Sequence, residues 1–511
     1  MARAETSPAA NRWVLLVVVM VGTFISILDS LAMNVALPSI MTAFGANVEQ
    51  ANRIRAGFLT AAAVSMPLTH WLGRRFGYGR LFIGCLAVFT GGAALSSSAW
   101  SLHSLGAFRI VQGVGAGIIQ PAAIALITRA FPPGIRGRAL GVWSVGAMLG
   151  PSLGPTAGGW LIDVFSWRAV FTMSVFVGVF ALVLAAVVLD RTQDEEPVPF
   201  DWLGYGCLST FLVVALATLA NGREAGWSSG PVLLGGAVAV TALMLLLVLE
   251  WDAPHPIVPL RLYRIPDFSL SLFISFYKSL ARAGSGFSIP IFLHQLQGRQ
   301  SLQIGLLLMP GAIVNTVCGP IAGVLTDRFG GRWLSIVGGC LIAFFFFSYH
   351  KLDLTADPWM IVYPQLFRGI GIALIDTPVV TTGMNAVSRE EAGHASWMLN
   401  LGQRVGSALS ISMLSTLLQR GIVIQQDHLG QTPLAHRAPP SGEVRQAMAL
   451  GLRDEEAKAA VAALTRRHLR LLSTTLAFQN LFVLCGLLSI TVVVPSFLLA
   501  RFKAPPRRAV V

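Results

Sequence analysis

Apolar residues in this chain fall in long blocks, and polar residues are largely confined to short stretches between them. A helix needs about 20 apolar residues to cross the hydrocarbon core of a bilayer. Fourteen blocks approach or exceed that length, at 14–40, 56–73, 81–100, 104–130, 138–163, 168–190, 202–221, 231–251, 268–295, 303–326, 333–350, 358–387, 395–419 and 472–500. The pattern predicts an all-α integral membrane protein with fourteen transmembrane helices. The first block is preceded by a polar segment and is too long for a signal-peptide core, so it is expected to be a retained span.

Composition agrees with that pattern. The 511 residues are 54% hydrophobic and 12% charged, against about 25% charged in soluble domains. Too few polar residues remain to cover a water-facing globule, which excludes a soluble enzyme, a disordered chain and a fibrous repeat. The net charge of +13 would suggest nucleic acid in a soluble protein. Here the basic residues sit in short loops, so no nucleic-acid partner is expected and the charge is an orientation signal. With the N-terminus in the cytoplasm, cytoplasmic segments hold eighteen Lys and Arg and the short outer loops six. An even span count then puts both termini in the cytoplasm. Cys85, Cys207, Cys318, Cys340 and Cys485 lie inside apolar blocks without metal-ligand spacing, and His428, His436 and His468 show none either, so no metal is expected. GxxxxGK[ST] is missing, which argues against direct ATP drive. With no catalytic constellation in any polar segment, the expectation is no enzyme and no cofactor, with an ion gradient as energy source.

The chain also repeats itself. HWLGRRFGYGR at 70–80 matches GVLTDRFGGR at 323–332, aligning Gly77 with Gly330, and RIVQGVGAG at 109–117 matches QLFRGIGIA at 365–373, aligning Gly113 with Gly369. The two offsets, 253 and 256 residues, agree to within a short loop change. Residues 1–195 are thus expected to form one six-helix half, 196–260 a two-helix insertion, and 261–511 a second six-helix half with a long outer loop at 420–470. Parallel repeats of this kind place a substrate site at the interface of the halves.

Four motifs make the chain resemble the major facilitator superfamily, and within it the 14-span drug:proton antiporters of the EmrB/QacA type. They are FISILDSLAMNVALPSI (24–40), the loop motif GVLTDRFGGR, RIVQGVGAG, and GAMLGPSLGPTAGGWL (146–161). The resemblance covers nearly the whole chain. It implies a proton-coupled multidrug exporter of small amphipathic toxic compounds in the bacterial inner membrane, working by alternating access. In Gram-negative members it also implies a periplasmic adaptor and an outer-membrane duct, with the 420–470 loop as a contact. An uptake symporter or an exporter of one metabolite on the same fold are the alternatives. A non-transporting receptor would predict a large soluble domain and lost intramembrane charges.

The charges inside the spans are costly there and so carry the candidate chemistry. Asp29, deep in the first span, is expected to face a wet cavity or a partner, with Ser30 or Asn34 as a purely structural alternative. The resemblance implies that Asp29, Arg109, Asn34 and Gln112 serve proton coupling or substrate binding; a bland reading of Arg109 is an edge residue snorkelling to the headgroups. Gly146, Gly150, Gly154 and Gly158 recur every four residues beside Pro151, Pro155 and Gly159, a spacing for close helix approach that the resemblance makes the antiporter motif. Gly323, Asp327, Arg328, Gly330 and Arg332 form the second loop motif, which implies a cytoplasmic charge clasp. In the first copy His70 stands where a glycine is expected and Arg74 where the acid is expected, which puts a symmetric clasp in doubt. Lys278 and Arg282, at i and i+4, repel each other and require an anion; Asp376 is the candidate. These three, with Asn400 and Arg404, are expected at the central cavity and to favour anionic or zwitterionic cargo. If span 9 begins later, Lys278 instead lies near the interface.

Overall fold

A computed structural model describes residues 8–189, 196, 198–354, 356–430 and 453–499. Among the described residues there are fifteen α-helices, one short 3₁₀ helix (Leu260–Arg264) and no strand. The helices are α1 (Pro8–Phe44), α2 (Val48–Ser65), α3 (Leu68–Phe76), α4 (Tyr78–Ser97), α5 (Leu102–Ala130), α6 (Pro133–Val164), α7 (Arg168–Val188), α8 (Trp202–Ala225), α9 (Gly230–Trp251), α10 (Pro266–Gln295), α11 (Ser301–Phe329), α12 (Gly331–Tyr349), α13 (Pro358–Asn385), α14 (Ala392–Gly430) and α15 (Asp454–Leu498). Eleven are long and apolar enough to cross a membrane. The remaining predicted spans correspond to α2 with α3, to α6 and to α10.

The block predicted at 56–73 is two helices. The chain breaks at Met66–Pro67, where proline offers no amide hydrogen to continue the ladder. The first piece also starts earlier, because Asn47 and Gln50 form a reciprocal capping box. Gly77 joins α3 to α4 at φ +86°, and Gly330 joins α11 to α12 at φ +77°. Both glycines of the repeat therefore occupy the left-handed half of backbone space that a side chain disfavours.

The described residues of the predicted 420–470 loop are largely helical. α14 continues to Gly430 and α15 begins at Asp454; residues 431–452 lie outside the described residues. At 1.5 Å per residue these helices of 39 and 45 residues run to roughly 58 and 68 Å, beyond the roughly 45 Å of a bilayer with its headgroups. They pack side by side, with Gly421 against Ala477, and among its described side chains the charged stretch buries only Ala457 and Val461.

The core follows the repeat. One cluster around Phe82, Phe89 and Phe131 fills the first half and reaches across to Phe268 and Trp397. A second, around Phe292, Phe345, Phe346, Phe478 and Phe482, fills the other. In the first half Gly113 lies on the Phe58 carbonyl of α2, and Gly115 on Cys85 and Phe89 of α4. In the second half Gly369 lies on Gly311 of α11, and Gly371 on Gly338 and Ile342 of α12. The glycines matched in sequence thus make matched close approaches. The outer faces are apolar and bare, with Phe176, Val187, Trp202 and Val248 all more than 70% exposed, as lipid-facing residues must be. α8 and α9 sit at the periphery: Tyr205 donates to the Val64 carbonyl of α2, and Trp227 to Thr416 of α14.

Candidate functional site

The first half buries an ion pair. Arg109 of α5 donates from Nη1 to Asp29 Oδ2 of α1 at 2.5 Å, and both side chains are at most 1% exposed. Ser174 of α7 donates to Asp29 Oδ1 at 2.8 Å. Arg109 also donates to Gln112 at 2.8 Å, and its guanidinium lies 4.1 Å from the Phe58 ring centroid. Asp29 therefore faces partners rather than a cavity, and Arg109 does not snorkel. Asn34 is exposed and is not among the residues hydrogen-bonded to Asp29.

The second half buries a larger cluster with reversed signs. Lys278 Nζ of α10 is 2.8 Å from Asp376 Oδ1 of α13, and Arg282 Nη1 is 3.3 Å from Oδ2. Lys278 is buried and lies near the middle of α10 rather than at its end. The acid is on the first span and the base on the fourth in one half, counting α2 with α3 as one span; the bases are on the first and the acid on the fourth in the other. The repeat contains a second exchange. Arg109 and Gln112 align with Gln365 and Arg368, and Arg368 Nε donates to Gln365 Oε1 at 2.5 Å. Gln365 in turn donates to the Tyr349 hydroxyl at 3.0 Å. Sequence reasoning passed over Gln365 and Arg368, although the repeat places them opposite Arg109 and Gln112.

A cavity of about 160 Å³ lies between the halves. Thr23, Ser26, Ile27, Ser30 and Leu31 of α1 line it, spaced as one helix face. Phe58 of α2, Ala116 and Gln120 of α5, and Arg404 of α14 complete the wall. Arg404 is thus the one proposed cavity residue that lines it. Lys278 and Arg282 pair with Asp376 instead, and Asn400 is buried, donating to the Ser396 carbonyl within its own helix.

The glycines of α6 serve two contacts. A Cβ built on Gly150 would stand 2.8 Å from Ile27 Cγ2, one on Gly154 3.2 Å from Leu31 Cβ, and one on Gly158 3.0 Å from Ala32 Cβ; Gly146 is tighter still, on Met20 Cγ. This stripe lets α1 approach α6 closely. Gly159 is looser, 3.9 Å from Val35. Pro151 is exposed, and the Pro155 side chain lies outside the described residues. Nearer the start of α6, Gly137 and Gly141 abut Gly323 and Gly319 of α11, so α6 also forms the seam with the other half.

Polar contacts between the halves gather at the loop-motif end of that seam. Asp327 accepts from the backbone N–H groups of Gly137 at 2.8 Å and Arg138 at 2.9 Å, with Arg138 Nε at 3.8 Å. Arg136 donates to the Met384 carbonyl at 3.2 Å and Asn385 at 3.1 Å. Arg328 is exposed, and Arg332 stacks by Trp333 and Phe497, so of the three predicted clasp charges only Asp327 bridges the halves. The symmetric place has no acid. There His70 stacks on His394 of α14, ring centroids 3.6 Å apart, beside Gly393.

The Major Facilitator Superfamily family model matches residues 19–411. The chain is 31% identical to the uncharacterized MFS-type transporter YhcA of Bacillus subtilis over 424 residues, covering 82% of this chain and 78% of that protein. It is 29% identical to the multidrug export protein EmrB of Haemophilus influenzae over 401 residues, covering 76% and 78%. Its fold matches the human organic anion transporter MFSD10 with a TM-score of 0.59 at 14% identity, covering 94% of this chain and 99% of that one. With a family model matched over most of its length and a relative 31% identical over 82% of it, the chain belongs to the major facilitator superfamily and is a multi-pass membrane transporter.

Proposed function

We propose that this transporter is a proton-coupled exporter of small amphipathic compounds, moving them from the cytoplasm by alternating access, with Asp29 as the proton carrier. The observation that carries the reading is the Asp29–Arg109–Ser174 cluster, buried at membrane depth and one residue away from the cavity. Phe58 is that residue: one face meets the Arg109 guanidinium and the ring lines the cavity. Protonating Asp29 removes the countercharge of Arg109. The freed guanidinium must then find new acceptors, since an unpaired buried charge costs several kcal/mol. That rearrangement moves Phe58 and the cavity wall, so protonation of Asp29 is coupled to the cargo site through Arg109 and Phe58. α1 carries the change onward, because it packs on the glycine stripe of α6, and α6 forms the seam with α11. The relationship to EmrB, named a multidrug export protein, supports the direction of transport.

The test is flux in proteoliposomes with an imposed pH gradient, following ethidium, salicylate and benzalkonium together with lumenal pH. Wild type is expected to couple movement of at least one compound to a proton counterflux. Asp29→Asn mimics the protonated carboxyl and is expected to lose gradient-driven transport while keeping downhill exchange. Identical gradient-driven flux in Asp29→Asn would remove Asp29 from the mechanism.

A further inference from the structure

We infer that Arg404 is the charge-selecting residue of the central cavity and that its cargo is an amphipathic monoanion with a compact apolar body. This deepens the transport reading above and rests on it. The membrane interior holds several other cations, and each is engaged. Arg109 has Asp29, Lys278 and Arg282 share Asp376, and Arg368 is held by Gln365 with Ser285 at 3.5 Å. Among the described residues no carboxylate pairs with Arg404, and no protein acceptor is found for it. It opens instead on the cavity between the halves.

The rest of that wall carries no countercharge. Ile27, Leu31 and Phe58 supply apolar surface, and Ser30 and Gln120 supply neutral hydrogen-bonding groups. The lining therefore has a formal charge of +1 on an otherwise uncharged, largely apolar surface. A guanidinium recognises a carboxylate or sulfonate through paired, charge-assisted hydrogen bonds and stays charged at any working pH. A cationic drug would have to lie beside it without an acid in the wall. Size narrows the class further. A cavity of roughly 150 Å³ holds a benzene-sized body, close to the 160 Å³ found here. Arg404 belongs to the second half and the remaining lining to the first, so a bound anion would bridge the two bodies that must rock against each other.

The experiment compares two fixed-charge probes sharing a phenyl ring, benzenesulfonate and phenyltrimethylammonium. Equilibrium binding to the purified full-length protein in nanodiscs is measured by calorimetry. Wild type is expected to bind the sulfonate at least tenfold more tightly than the ammonium. Arg404→Gln is expected to erase the preference, Arg404→Lys to keep it in weakened form, and Arg404→Glu to reverse it. A wild type that binds no sulfonate, or binds the ammonium equally well, overturns the assignment. So does an Arg404→Gln variant, with melting temperature unchanged, that retains the preference. No gradient is present, so these outcomes are independent of proton coupling. If Asp29→Asn leaves gradient-driven flux intact while Arg404→Gln loses anion binding, the coupling scheme fails and the cargo assignment stands.

Discussion

Asp327 offers the sharpest test of how the two halves hold together. Its carboxylate accepts two backbone N–H groups across the seam, at 2.8 and 2.9 Å, with a side chain only 3% exposed. Hydrogen bonds to a charged group contribute about 1.5–3 kcal/mol each. Asp327→Ala removes both, so about 3 kcal/mol is a conservative loss. The groups lie on α6 and α11, which belong to different halves, so the loss falls on this closed arrangement rather than on the folding of either half. At 1.4 kcal/mol per factor of ten, the equilibrium shifts by roughly 150-fold toward states parted at the loop-motif end. Spin labels at the exposed positions Gly134 and Phe329, with the five native cysteines replaced, report that separation by pulsed electron resonance. The wild type should show one short distance, and Asp327→Ala a dominant longer one. Asp327→Asn keeps one acceptor but turns an amide donor toward the second N–H, and should fall between them. An unchanged distance distribution in Asp327→Ala would refute the reasoning, because the contact would then contribute nothing to the balance of states.

Two further substitutions test the buried charges and the glycine stripe. Asp376→Asn leaves Lys278 and Arg282 without a countercharge and should cost about 3–5 kcal/mol, read as a lowered melting temperature in detergent. Adding Lys278→Met should recover part of the loss, and a double variant no more stable than the single one would contradict the pairing. Gly150→Ala places a methyl 2.8 Å from Ile27 Cγ2, and such overpacking costs about 1–3 kcal/mol. Ile27→Ala in the same chain should relieve it; failure of that rescue in a melting assay would show that α1 and α6 do not meet there.

Much of the architecture was legible because lipid imposes simple rules. A helix spanning hydrocarbon must be long and apolar, so the blocks announce themselves, and Gly77 and Gly330 mark the same turn twice. Pro67 cut one block in two, a local effect that hydropathy averages away. The continuity of the charged stretch from Asp454 with the last span was hidden because water-exposed and lipid-exposed turns of one helix differ completely in composition. The candidate site was half legible. Asp29, Arg109 and Asp376 stood out as expensive charges in apolar surroundings. Ser174 and Phe58 did not, since a serine and a phenylalanine are unremarked in any membrane helix.

By itself, then, the sequence determined what kind of solvent this protein lives in, its repeat, and which charges had to be accounted for. Transfer free energy depends on residue type and segment length, and both are written along the chain. Only the tertiary structure decided which charges neutralise one another. Lys278, Arg282 and Arg404 look alike in sequence, yet two lie within about 3 Å of Asp376 while the third opens on the cavity. Coulomb energy depends on distances between helices far apart in sequence, and those are fixed by packing such as the Gly150 and Gly137 contacts.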